Sequence, residues 1–131
     1  DRLMERRFGV LEGNVYNGPR NKPEDTVGIE PSPAVHARLS SFWDEITRSR
    51  DQTHTVAVVS HGGALSTLMN HILGSGSAQC APGIVPSRFW NCSLAEIKMP
   101  PSGAGTIFSW AHVRHLDAGE SRVRNVDEAI S

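Results

Sequence analysis

The chain has 131 residues, 38% of them apolar and 21% charged, with a formal net charge of −1. That length suits one domain or part of one, and the composition excludes a disordered or fibrous chain. A balance this near neutral gives no global pull toward nucleic acid or a membrane surface, and no apolar run approaches the roughly 18 residues that span a bilayer.

Residues 1–13, DRLMERRFGVLEG, mix charged and apolar residues. Arg2, Arg6 and Arg7 cluster there, as a solvated face or as a local anion site. No signal peptide is in view. The chain opens at Asp1, with its first methionine at Met4, so a start inside a longer gene product is expected, or else processing of the chain. Residues 14–32 are dense in Asn, Gly and Pro and predict a long surface loop. A helix is expected over 33–49, with Ser32 as N-cap and Pro33 in its first turn. Val35, Leu39, Phe42 and Ile46 supply its apolar stripe. Thr55 to Ser60 is a short, nearly continuous β-branched run, the pattern of a strand buried on both faces of a parallel sheet. His61-Gly62-Gly63 breaks that run. Ala64, Leu65, Leu68, Met69, Ile72 and Leu73 then recur at helical spacing, with Gly74 as the expected C-cap. Residues 75–88 read as a loop with a short helical turn. Ser93–Met99 and Thr106–Val113 read as strands joined in a hairpin by the Pro-Gly-rich stretch 100–105. The tail from Asp117 is polar and expected to fray.

The chemistry should gather at residue 61. In open α/β sheets, ligands bind beyond the carboxyl ends of the strands. His61 stands at such an end, directly before a helix whose first amides, those of Gly62 and Gly63 among them, have no intrahelical acceptor. Those amides and the helix dipole favour an anion, and glycines let a phosphate approach the backbone. A protonated imidazole would add charge and a donor. The competing reading is a histidine that only caps a turn.

Val58-Val59-Ser60-His61-Gly62-Gly63 resembles the second-histidine motif of the histidine phosphatases, the superfamily of the cofactor-dependent phosphoglycerate mutases. Glu5-Arg6-Arg7-Phe8-Gly9, with Leu11-Glu12-Gly13 after it, is similar to that family's acid-bearing segment. Asn91-Cys92-Ser93 is similar to the stretch that follows its last active-site loop. The matches come in family order and span about residues 1–115. The resemblance implies a three-layer α/β/α sandwich with a mostly parallel sheet, incomplete at its amino-terminal end. It also implies phosphoryl transfer through a phosphohistidine. In that scheme Glu5 is the proton donor and acceptor, His61 contacts the transferring phosphoryl group with help from the Gly62 amide, and Arg6 and Asn91 are candidate substrate contacts. No metal or cofactor is implied. The Phe-Gly-x-Leu-Glu-Gly form leans toward a phosphatase rather than a mutase.

One departure is large. The family's nucleophile lies in an Arg-His-Gly motif on its first strand, and no such triplet occurs in the 131 residues; Arg114-His115-Leu116 lacks the glycine. Without a central strand, sheet edges should be exposed or close on a second copy as a homodimer. The expected activity is phosphomonoester hydrolysis in a full-length parent, on a small phosphorylated substrate, with this chain alone inactive. The other reading is a non-catalytic remnant that binds phosphorylated ligands or a partner chain. An α/β-hydrolase is set aside because the chain has no Gly-x-Ser-x-Gly elbow. Glu30 suits a supporting role near the site or simple helix-start electrostatics. Trp43, Trp90 and Trp110 are expected to pack, and Cys92 to be a small buried residue. His112 and His115 have metal-compatible spacing without a third ligand. With only Cys80 and Cys92, reduced thiols and a cytoplasmic setting are expected.

Overall fold

The stripe in 33–49 folds as a helix, α1 (Ser32–Ile46), in a computed structural model of the chain, whose described residues are 1–15, 23–48 and 54–116. Pro31 takes the N-cap position and Ser32 opens the helix. Pro33 falls in the first turn, where an N–H would have no intrahelical acceptor. At the other end the Thr47 hydroxyl donates to the Trp43 carbonyl at 2.7 Å, and the helix stops at Ile46 rather than running to 49. The buried stripe is Val35, Leu39 and Trp43. Trp43, not Phe42, takes the core position, and Phe42 lies under the Arg2 guanidinium, 5.6 Å from the ring centroid.

The second helix, α2 (Gly62–Gly74), follows His61, whose backbone is extended (φ −102°, ψ 159°). Ala64, Leu68, Met69 and Ile72 are its buried face. Gly74 is the last helical residue and not the cap. Ser75 caps the end, and the left-handed residue beyond it is Gly76, at φ 72°.

A three-stranded sheet completes the fold in the order β1 (Ala78–Cys80), β3 (Gly105–His112), β2 (Leu94–Lys98). The expected hairpin is present: β2 and β3 are antiparallel, with a register shift between Leu94 and Glu96 opposite Ala111, which takes φ 46°. β1 was not expected. It lies in the stretch read as loop and pairs in parallel with β3, Ala78 opposite Gly105. Three residues are too few to show a period, so this strand is visible only through its partner.

One expectation fails here, and one is met only in its coarser form, an α/β fold with a mixed sheet. Thr55–Ser60 forms no ladder with any described residue, and Val56 and Val59 are 50% and 84% exposed. A continuous apolar run marks a strand only when neighbours flank it on both sides. With that run outside the sheet, the described residues give a small mixed sheet with two helices, and the three-layer, mostly parallel sandwich is not seen among them. The tail from 117 and part of the expected 14–32 loop lie outside the described residues. Within that loop, Pro23–Thr26 forms a 3-10 turn and Ile29 bridges Phe8.

One core joins these elements. α1 packs on α2 and α2 on β1, and the most deeply buried large side chains are Leu39, Ile72 and Ile107, from α1, α2 and β3. Each such side chain contributes about 1.5–3 kcal/mol of burial. Phe89 and Trp110 extend the core under the 87–93 loop, and the Trp110 indole N–H donates to the Ser87 carbonyl at 2.6 Å.

Candidate active site

Residues 2–7 cross the start of α2 and bring Glu5 onto it. Glu5 Oε2 accepts from the Gly63 amide at 3.2 Å, and Oε1 accepts from the Arg6 amide at 2.8 Å. A Cβ at Gly63 would lie 2.9 Å from Glu5 Oε1, so a larger residue there would push the carboxylate aside. A carboxylate and a phosphoryl group are both acceptors for unpaired helix-start amides. Glu5 therefore sits where anionic oxygen is favoured, at the start of the helix that follows His61, and both residues line the same cleft.

An open cleft of about 1460 Å³ surrounds this point, and Glu5, Arg6, His61, Gly62, Gly63 and Asn91 all line it. The predicted site residues thus all border one open cleft, and the long-range hydrogen bond seen among them is that from the Gly63 amide to Glu5. Arg6 is partly committed to the main chain, since its Nε donates to the Glu30 carbonyl at 2.7 Å. Asn91 and Cys92 form a tight turn closed by the Ser93 amide on the Trp90 carbonyl, 3.0 Å, and by the Trp90 amide on the Ser93 hydroxyl, 3.0 Å. Cys92 is not the buried residue expected. It is exposed, takes φ 58° and faces the cleft. Cys80 is also a free thiol. Trp43 and Trp110 pack as expected, while the half-buried Trp90 forms cleft wall, with Arg88 5.6 Å from its ring centroid.

Several participants escaped the sequence reading. His115 lines the cleft, as does Glu12, whose carboxylate accepts from the Phe8 amide at 2.9 Å. The Ser60 hydroxyl donates to the Leu3 carbonyl, tying the two approaches to the site together. Arg38 escaped because nothing in a helical stripe marks a cation that pairs with a residue before the helix. It forms an ion pair with Glu30, Nε to Oε1 at 2.8 Å and Nη2 to Oε2 at 3.0 Å. The Arg38 hydrogen bond holds the Glu30 carboxyl below its ordinary range; burial opposes this, and the Arg7 amide adds to it. An Arg eight residues after a Glu that precedes a helix was the available signal.

Among the described residues no cluster of three or more His, Cys, Asp or Glu side chains is arranged to hold a metal ion. His112 and His115 stack edge-on with centroids 6.0 Å apart, and Glu96 Oε2 lies 3.7 Å from His112 Nε2. No described helix is long and apolar enough to cross a membrane.

A sequence model of the histidine phosphatase superfamily (branch 1) matches residues 1–110. The chain is also similar to a Schizosaccharomyces pombe protein named as a probable phosphatase, with 30% identity over a 129-residue alignment. That alignment takes in 92% of this chain and 61% of the relative, so the chain spans well under the relative's full length. No solved structure matches the chain at a significant level.

Proposed function

The chain belongs to the histidine phosphatase superfamily, and from that premise we propose that it carries the acid/base and phosphate-contacting part of a phosphomonoesterase. The observation that carries this reading is the Glu5 carboxylate resting on the Gly63 amide at the helix start that His61 opens.

In the proposed reaction a histidine imidazole attacks phosphorus, the phosphorus–oxygen ester bond breaks, and Glu5 gives its proton to the departing alcohol oxygen. Water then attacks phosphorus, Glu5 takes the water proton, the phosphorus–nitrogen bond breaks to free the imidazole, and inorganic phosphate leaves. On this reading the Gly62 amide and the His61 imidazole face the equatorial oxygens, where charge has to be stabilised, while the Gly63 amide holds Glu5. Dividing the displacement through a covalent intermediate lowers each barrier, and a positioned acid/base contributes about 10²–10⁴-fold. The attacking imidazole belongs to an Arg-His-Gly segment that the 131 residues do not contain. On this reading the chain alone forms no phosphoenzyme and turns over little or no p-nitrophenyl phosphate. A longer polypeptide with that segment loses most of its activity in Glu5→Gln or His61→Ala. Turnover by the 131-residue chain that vanishes in His61→Ala would show that no outside nucleophile is needed. Near-normal rates in both variants of the longer form would reject the assigned roles.

The missing triplet also favours a second reading, a non-catalytic chain that binds phosphorylated ligands. Saturable vanadate binding in a longer form that never turns over substrate would select it.

A further inference from the structure

Glu5 belongs to a stretch without helix or strand, so no regular element fixes its place. Its flanks end instead on one largely shielded ion pair, of which only Glu30 is buried. From α1, Arg38 donates through Nη1 to the Arg2 carbonyl at 2.6 Å and the Met4 carbonyl at 2.7 Å. The same guanidinium forks onto both carboxylate oxygens of Glu30. Glu30 in turn holds the far flank. Its amide donates to the Arg7 carbonyl at 2.9 Å, its carboxylate accepts from the Arg7 amide at 3.4 Å, and its carbonyl accepts from Arg6 Nε at 2.7 Å. The Glu30 and Arg38 side chains are only 8% and 17% exposed.

We propose that the Arg38–Glu30 pair is a positioning device, which holds the main chain on both sides of Glu5 so that its carboxylate stays over the Gly63 amide. The inference rests on the reading of Glu5 as the acid/base group. A buried ion pair is a poor choice for stability alone, because an apolar pair of like volume often packs as well or better. An apolar pair cannot hold the Met4 carbonyl while fixing Glu30 against the Arg7 amide. A bidentate guanidinium does so in one orientation, which a lysine cannot reproduce. Among the described residues, the Glu30 main chain reaches Arg6 and Arg7 without the pair's side chains, but that holds only one flank and not the Met4 side. The Ser60 hydroxyl reaches only the Leu3 carbonyl, and the Arg2–Glu45 bridge, 38% and 60% exposed, is a weak surface pair.

Amide NMR of the isotope-labelled 131-residue chain tests this. The variants are Glu30→Met/Arg38→Met, Glu30→Gln, Arg38→Lys and Glu5→Ala. In the Met pair, exchange protection at Gly63 should fall about tenfold, the scale of a lost hydrogen bond to a charged acceptor. Leu68 and Ile72, deep in α2, should keep wild-type protection. Adding Glu5→Ala to the Met pair should change Gly63 no further, because both act on one bond. Arg38→Lys should recover only part of the loss. Glu30→Gln, close to the native shape, supplies the same comparison if the Met pair does not fold. A Gly63 amide that responds to Glu5→Ala but not to the clamp variants overturns the proposal. So does a parallel loss of protection along all of α2, which would mark a merely structural pair. Vanadate titrated into the wild-type chain reads the phosphate site separately. Unmoved Gly62 and Gly63 amides, beside the expected clamp response, would reject the phosphate-site reading while upholding the clamp.

Discussion

Two segments meet at the cleft and differ in how they are held. Residues 2–7 bring Glu5 and have almost no regular structure, yet their carbonyls and amides end on Arg38, Glu30 and Ser60. Residues 54–60 bring His61 and look in sequence like the more regular element, yet they join no ladder and expose Val56 and Val59. Anchoring depends on whether partners are within reach, not on how regular a segment looks. The polar clamp finds its donors and acceptors among the described residues. A strand is defined by neighbours on either side, and the 54–60 run has none among them.

The sharpest way to break the contrast is at the clamp. Arg38→Met alone should cost about 1–3 kcal/mol by urea denaturation, because it leaves the Glu30 carboxylate without its partner, while the Met pair should lie nearer wild type. Equal losses in the two would mean that packing, not charge pairing, is at stake. Gly9 comes next. It takes φ 55°, and an added Cβ would meet the Val27 carbonyl oxygen at 2.2 Å. Gly9→Ala should therefore cost about 2 kcal/mol and open the Phe8–Ile29 bridge. A thermal midpoint unchanged in Gly9→Ala would show that this turn is not strapped as described.

A smaller effect appears with pH. Glu30 is held below its ordinary range, chiefly by Arg38. Its stabilisation is complete above the unfolded-state pKa of about 4.3 and is lost as pH falls through the lower folded value. The gap in melting temperature between wild type and Glu30→Gln should be constant from about pH 5 to 7 and narrow below that. A gap that does not change down to pH 3 would contradict the pairing. The smallest effect belongs to the other segment. Val59→Ala should change stability by under about 0.5 kcal/mol, as at an open surface. A loss of a full kcal/mol or more would reveal a packing partner for this run, in a second copy or in a longer chain.

Local chemistry wrote several features legibly. The stripe through Val35 and Leu39 and the 62–74 helix face follow from the helical period, and the turn at His61-Gly62-Gly63 follows from the break in apolar residues. The 94–112 hairpin was readable from two apolar runs around a Pro-Gly turn. Order and spacing of short motifs were enough to collect Glu5, Arg6, His61, Gly62 and Asn91 as one candidate site, and all five line the cleft. Less legible was Cys92, whose small size suggested burial while its turn conformation exposes it. Also illegible were β1, too short for a period, and Arg38, a cation on a helix whose carboxylate partner precedes it.

By itself, then, the amino-acid order determined the helix faces, the hairpin, the glycine turn after residue 61 and membership of the family. Only the tertiary structure decided that Glu5 reaches an amide 58 positions away, that the buried Glu30 pairs with Arg38, and that residues 55–60 stand outside the described sheet. Periodicity and turn chemistry are set by neighbours along the chain, so they can be read from one sequence. Ladders and buried ion pairs are set by what the folded chain brings alongside, and no local pattern records that.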